Sequence, residues 1–331
     1  MFLRVSIRHV WFCGWLALLP APVFAQQHDF QTTSQKALDG DADAQTTLGT
    51  MYAYGRGVEK DDAEALKWHR AAAEQGYAPA QSYLGLRHEY GWGVVQDFAE
   101  AARWYRLAAE QGFSIAQTRL GALFKEGHGV PQSDAEAVKW FRAAAELGDA
   151  EAQSSLGLMY SNAKGVPQDH GEAVNWFRAA ADQGHAEGQA QLGIQYLYGK
   201  GVPKDEVVAA KWVRAAAEQG LASAQVLTAI LYANGNGVAE NQAEAVYWLR
   251  AAAKQGHALA QAKLAKHYIS GAGTPQNFNK AYIWFNLAAA NGDKESVMAR
   301  DELGATLRPE DLARAQSQAT ACISSDYKDC D

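Results

Sequence analysis

Residues 41–76 read DADAQTTLGTMYAYGRGVEKDDAEALKWHRAAAEQG, and residues 77–292 carry six more copies of that pattern at a step of 36 residues. Trp68, Trp104, Trp140, Trp176, Trp212, Trp248 and Trp284 keep the step without an insertion. So do Gly40, Gly76, Gly112, Gly148, Gly184, Gly220, Gly256 and Gly292. A fixed period of this length is the signature of a repeat array in which each copy is one supersecondary element.

Each copy divides into two helical halves. In the first, Ala44, Leu48 and Tyr52 recur at i, i+4 and i+8, which places them on one face of a helix. Gly55-Arg56-Gly57-Val58 follows, and a glycine in the left-handed conformation ends a helix at little cost. Asp61 or Asp62 then offers an N-cap for a second helix, which carries Ala65, Trp68 and Ala72 on one face and stops at Gly76. A lone hairpin cannot bury its apolar face, but a neighbour stacked on it can. The tryptophan reads as the filler between hairpins, with Gly49, Ala71 and Ala72 letting backbones approach. The fold class expected is all-α, with repeats at 41–76, 77–112, 113–148, 149–184, 185–220, 221–256 and 257–292 between terminal caps.

These units resemble Sel1-like repeats, a branch of the tetratricopeptide-like repeats with a longer loop between the helices. The resemblance rests on Ala-x-x-x-Leu-Gly from Ala44 to Gly49, Gly-x-Gly-Val from Gly55 to Val58, and Ala-x-x-Trp from Ala65 to Trp68, then Arg70-Ala71-Ala72 and Gly76. It implies a right-handed α-solenoid superhelix acting as a scaffold or adaptor for partner proteins. Binding would then fall on the concave face, lined mainly by the first helix of each pair. Residues 281–292, AYIWFNLAAANG, resemble the closing unit of the family. Ala163 departs from the pattern by replacing the first loop glycine, and His88 by standing where Tyr52, Phe124 and Tyr160 are aromatic. The seventh copy has Thr274 for the loop valine and Asn286 for the arginine.

The ends carry separate signals. Arg4 and Arg8, an apolar run over residues 10–19 and Val23-Phe24-Ala25 give residues 1–25 the form of a signal peptide cleaved near Ala25. An uncleaved anchor is the alternative. Export would place the chain in the periplasm or outside the cell, where Cys322 and Cys330 meet an oxidising compartment and form a candidate disulfide. Residues 26–40 read as an N-terminal half-cap. Residues 293–331 read as capping helices around Leu303, Leu307 and Leu312, with Pro309 opening the last helix before a cysteine-containing tail. No segment after the first 25 residues is apolar enough to cross a membrane.

Chemistry is hard to find in this composition. A formal net charge of −7 without any Lys/Arg run gives no electrostatic case for nucleic acid. No histidine has metal-ligand spacing to Cys, Asp or Glu, and His185 and His257 read as separated surface groups. Gly-x-Gly always joins two helices instead of following a strand, so it is no phosphate loop. No Gly-x-Ser-x-Gly elbow occurs, and both cysteines after the signal segment lie outside the repeats. The expectation is a chain that is not an enzyme and takes no cofactor or metal.

Arg70, Arg106, Arg142, Arg178, Arg214 and Arg250 follow each tryptophan by two positions. Glu74, Glu110, Glu146, Asp182 and Glu218 stand four residues on, so the arginines read as a solvated face with local counter-charges. Contact residues are sought among positions that vary between copies. On the first helices these include Tyr83, Arg87, Tyr90, Arg119, Gln191, Gln195 and Tyr198. Tyr and Arg are favoured at interface hot spots, which singles out Tyr83, Arg87 and Tyr90, with Trp92 in the adjacent loop as contact or as packing. The function expected is an exported scaffold, adaptor or regulator that binds a protein partner. A hydrolase of cell-wall or β-lactam substrates is the alternative, by analogy with cysteine-rich relatives, and a spacer without a partner is a third.

Overall fold

The second helix of every repeat begins at a capping side chain, and the first helix ends at a left-handed glycine in every repeat but the fourth. The computed structural model describes residues 30–327 and 330, all in helices and turns. The segment read as a signal peptide lies outside them. The chain divides at Gln111 into two units. In the N-terminal unit, α1 (Phe30–Leu38) packs on the hairpin of α2 (Ala42–Tyr54) and α3 (Asp62–Glu74), followed by α4 (Ala78–Tyr90) and α5 (Phe98–Glu110). Asp61 is the N-cap of α3, its carboxylate accepting from the amides of Ala63 and Glu64 at 2.8 and 3.0 Å. Gly55, at φ 65°, closes α2 by donating its amide to the Met51 carbonyl.

The C-terminal unit repeats this construction in α6 (Ser114–Glu126), α7 (Asp134–Glu146), α8 (Ala150–Ser161), α9 (His170–Asp182), α10 (Ala186–Tyr198) and α11 (Glu206–Glu218). It continues through α12 (Ala222–Asn234), α13 (Gln242–Ala253), α14 (Ala258–Ser270) and α15 (Phe278–Ala290). The last pair, α16 (Lys294–Thr306) and α17 (Pro309–Ser324), both pack on α15. Cys322 and Cys330 are buried and joined in a disulfide, their Cα atoms 4.8 Å apart. Tyr327 donates its hydroxyl to the Asn291 side chain at 2.8 Å, tying the tail to the end of α15.

The two loop glycines answer different demands. The first supplies the left-handed turn, and its absence at Ala163 leaves an alanine at φ 56°. The second allows contact with the preceding hairpin. A Cβ on Gly165, Gly201, Gly237 or Gly273 would overlap the carbonyl of Asp134, His170, Glu206 or Gln242, the first residues of α7, α9, α11 and α13. Each of these loops therefore rests on the N-terminus of the second helix one repeat back.

The tryptophans, read as the fillers between hairpins, are buried to different degrees. Trp284 is buried, Trp104 and Trp248 nearly so, and Trp68, Trp140, Trp176 and Trp212 are half-buried. The consistently buried position is the next one, held by His69, Tyr105, Phe141, Phe177, Val213, Leu249 and Phe285. In the first five repeats this side chain lies against a helical glycine in the first helix of the same repeat, a position held by Ala229 and Ala265 in the last two. A Cβ on Gly121 would come within 2.8 Å of Phe141, and one on Gly157 within 2.6 Å of Phe177. Gly49 and Gly85 face His69 and Tyr105 in the same way.

Buried glutamines tie successive hairpins together. Gln45 donates to the Ala37 carbonyl and accepts from Gln75, at 3.0 and 2.7 Å. Gln81 with Gln111, Gln153 with Gln183, Gln189 with Gln219, Gln225 with Gln255, and Gln261 with Asn291 repeat that bond. Leu147 stands in the donor position opposite Gln117, is exposed, and has no amide to give.

Candidate partner-binding surface

In the N-terminal unit the first helices end in tyrosines, Tyr54 on α2 and Tyr90 on α4, each immediately before its capping glycine. That position projects beyond the packed stripe, leaving Tyr54 53% and Tyr90 41% exposed. The loop after α4 adds Trp92, 48% exposed, whose ring stacks on Tyr90 with centroids 4.9 Å apart and planes at 20°. Trp92 is therefore an accessible residue, settling its place in the loop. The Arg56 guanidinium lies over the Tyr54 ring at 5.3 Å. The result is an aromatic surface with one cationic edge.

A polar layer supports it from below. Tyr83, half-buried, stacks on His69 at 4.3 Å and donates its hydroxyl to the Tyr54 oxygen at 3.1 Å. Burial pushes the Tyr83 phenol up, with the Tyr54 bond adding to the effect. Arg87 is only 2% exposed, which corrects the expectation that it meets a partner. Its Nη1 donates to the Trp92 carbonyl at 2.9 Å, and its Nη2 lies 3.8 Å from the Asp62 carboxylate. Arg87 thus holds the backbone of the Trp92 loop, while burial lowers its pKa against the opposing pull of Asp62.

His69 occupies the core position that is apolar in most repeats. Burial first, and the Arg87 charge second, lower its pKa to about 3, so the ring is neutral at ordinary pH. Its Nε2 lies 3.4 Å from the Thr50 hydroxyl, which donates to the Thr46 carbonyl at 2.9 Å. With its proton so committed and the ring fully buried, this Thr–His pair offers no accessible nucleophile.

The remaining expected contact residues lie in the C-terminal unit and are not gathered into one site. Arg119, on α6, is largely buried with its Nη2 3.8 Å from Glu151. On α10, Gln191 donates to Glu187 at 2.8 Å, Gln195 is 3% exposed, and Tyr198 is well exposed. Gln195, like Arg87, fills the position held by Met51, Leu123, Met159 and Leu231, which is buried in the first six repeats. The register of those four residues was the available sign that Arg87 and Gln195 would be buried. The same register makes Tyr54 the equivalent of Tyr90 and Tyr198, an accessible tyrosine that the choice of variable residues passed over.

The arginine row also differs from its sequence reading. Arg214 meets its acidic neighbour, Glu218, at 2.8 Å. Arg142, Arg178 and Arg250 donate instead to Tyr160, Tyr196 and Tyr268 of the next hairpin at 2.6, 2.9 and 2.9 Å. His88 takes that tyrosine's place in the second repeat, with its pKa lowered chiefly by burial. His185 and His257 are helix caps instead of free surface groups, their Nδ1 atoms accepting from the amides of Gly188 and Ala260 at 3.2 and 3.4 Å. Burial lowers the pKa of both.

The Sel1 repeat family matches this chain seven times, over residues 42–77, 78–113, 114–149, 150–185, 186–221, 222–257 and 258–293. The chain is a Sel1 repeat protein. Its all-helical solenoid architecture is that of solved members of the family. A protective antigen of uropathogenic Escherichia coli that displays an SLR fold is similar at 35% identity and a TM-score of 0.73, over 88% of this chain. The chain spans 64% of that antigen's length. A Sel1 repeat protein from Oxalobacter formigenes is similar at 35% identity and a TM-score of 0.68, covering 83% of this chain and 79% of its own. A search of curated proteins finds no match. Sel1 repeat proteins generally mediate protein–protein interaction. Among the described residues no helix is long and apolar enough to cross a membrane, and no group of three His, Cys, Asp or Glu side chains gathers for a metal.

Proposed function

We propose that this Sel1 repeat protein is an exported, non-enzymatic scaffold that binds a protein partner along the face carried by its first helices. In this family that is the face expected to line the concave side. The observation that carries the reading is the exposed Tyr90–Trp92 stack beside Tyr54, held from beneath by Tyr83 and Arg87. Large rings fixed in place contribute contact area at low entropic cost, and such anchors dominate interface energetics. Export is supported by the form of residues 1–25 and by the disulfide between Cys322 and Cys330.

Truncating Tyr54, Tyr90 and Trp92 together to Ala should abolish capture of the partner from periplasmic extract while far-UV circular dichroism stays unchanged. Undiminished capture by that triple variant would remove the surface from consideration. Arg87→Met should weaken capture less, because it loosens the loop without deleting a contact. Fractionation of the full chain, with mass analysis of its N-terminus, tests export; a protein retained in the cytoplasm starting at Met1 rejects it.

A further inference from the structure

A second surface, in the C-terminal unit, has a different chemistry. Two concavities flank α14: one of about 200 Å³ between α12 and α14, the other of about 430 Å³ between α14 and α16. Lys263 and Lys266 line both. Lys263 and Lys266 make no ion pair or hydrogen bond among the described residues. They stand three residues apart on one helix, so both amines serve the same face.

Apolar side chains make up part of the lining around them. Phe285 floors the larger concavity, and Leu259 and Met298 stand at its rim with much of their surface exposed. Asp293, at the start of α16, and Glu295 and Glu302 on it make the far wall acidic. We propose that this trough binds an acidic peptide segment bearing an apolar side chain. The apolar side chain enters between Phe285 and Met298, and neighbouring carboxylates pair with Lys263 and Lys266. Charge complementarity sets the orientation, since Glu295 and Glu302 repel carboxylates from the α16 wall and leave the α12 side for them. This site shares no residue with the aromatic surface of the N-terminal unit, and its failure would leave that reading intact.

The test uses the full mature chain with its disulfide and a fluorescein-labelled peptide composed of glutamate and leucine, read by fluorescence anisotropy. Saturable binding that weakens with added salt is expected, with a loss of about tenfold or more in the charge-reversed pair Lys263→Glu and Lys266→Glu. The neutral pair Lys263→Gln and Lys266→Gln should lose less, and Met298→Ala should weaken binding without changing its salt dependence. Both lysines are clear of the core, so circular dichroism should report the same helix content throughout. The proposal is overturned if the peptide fails to bind, if both lysine pairs bind it as the wild type does, or if a lysine–leucine peptide binds equally well. Binding to phosphatidylglycerol vesicles but not to the peptide would overturn it also, in favour of a lipid surface.

Discussion

After the tryptophan, the C-terminal unit carries Phe141, Phe177, Val213, Leu249 and Phe285, whereas the N-terminal unit carries His69 and Tyr105. Three residues before the end of the first helix, the C-terminal unit has Leu123, Met159 and Leu231 alongside Gln195 and His267, and the N-terminal unit has Met51 and Arg87. His267 behaves much as Arg87 does, its Nδ1 lying 2.8 Å from the Ala272 carbonyl in the following loop. One hairpin template therefore tolerates polar side chains in its core when they reach the loop backbone. What sets the N-terminal unit apart is concentration: His69 stacks on Tyr83 and the Arg87 charge acts on both, beneath an exposed aromatic surface. A buried polar cluster confers less stability than a packed aromatic, and its position here coincides with the best candidate for recognition.

The largest test of this contrast is truncation at the shared core position. Phe177→Ala should cost about 3–5 kcal/mol, measured by urea unfolding, because a close-packed ring leaves a cavity. His69→Ala should cost clearly less, since the neutral imidazole gains little where it sits. Equal losses would erase the distinction between the units.

Acid provides the next test. An unfolded histidine takes a proton near pH 6.5, while folded His69 refuses one until about 3. Across that window the unfolded chain binds more protons, so stability is full above pH 6.5 and falls as pH drops. The slope is about 1.4 kcal/mol per pH unit at most. Hydrogen exchange at pH 4.5 should therefore show the N-terminal unit opening before α7 to α11, and His69→Phe should remove the difference. If His69→Phe opens at the same pH as the wild type, the histidine is not responsible.

Two smaller substitutions probe the C-terminal unit's own irregularities. Ala163→Gly relieves a left-handed alanine and should stabilise by about 1 kcal/mol. Leu147→Gln restores an amide donor opposite Gln117 and should add about 0.5 kcal/mol, read as a rise in melting temperature. A loss at either site would mean that the local repeat pattern does not govern stability there.

The helix pairs, the caps and the loop glycines are legible in the sequence because each follows from a local rule repeated seven times. Asp61, Gly55 and Trp68 need only their own hairpin to be understood. The functional surface is less legible because exposure depends on neighbours. Arg87 was chosen for being unlike its equivalents, yet its helical register is that of Met51 and Leu123, and backbone position overrides polarity once a carbonyl is within reach. Tyr54 carries no such signal, because it repeats the tyrosine found at Tyr90 and Tyr198 and so does not stand out as a variable position. Lys263 and Lys266 carry no sequence signal of their own. Their interest comes from lining two concavities without an ion pair of their own among the described residues, which only the packing of α12, α14 and α16 displays.

The second loop glycine also bears on how such a chain changes length. In the C-terminal unit each hairpin leans on its predecessor through the same backbone joint, Gly201 on His170 and Gly237 on Glu206. Excising residues 186–221 would bring Gly237 onto His170, an equivalent seat, and the severed stack would close over the gap. Whole hairpins are thus interchangeable cassettes, whereas inserting a single residue between the two members of a joint would put that joint out of alignment.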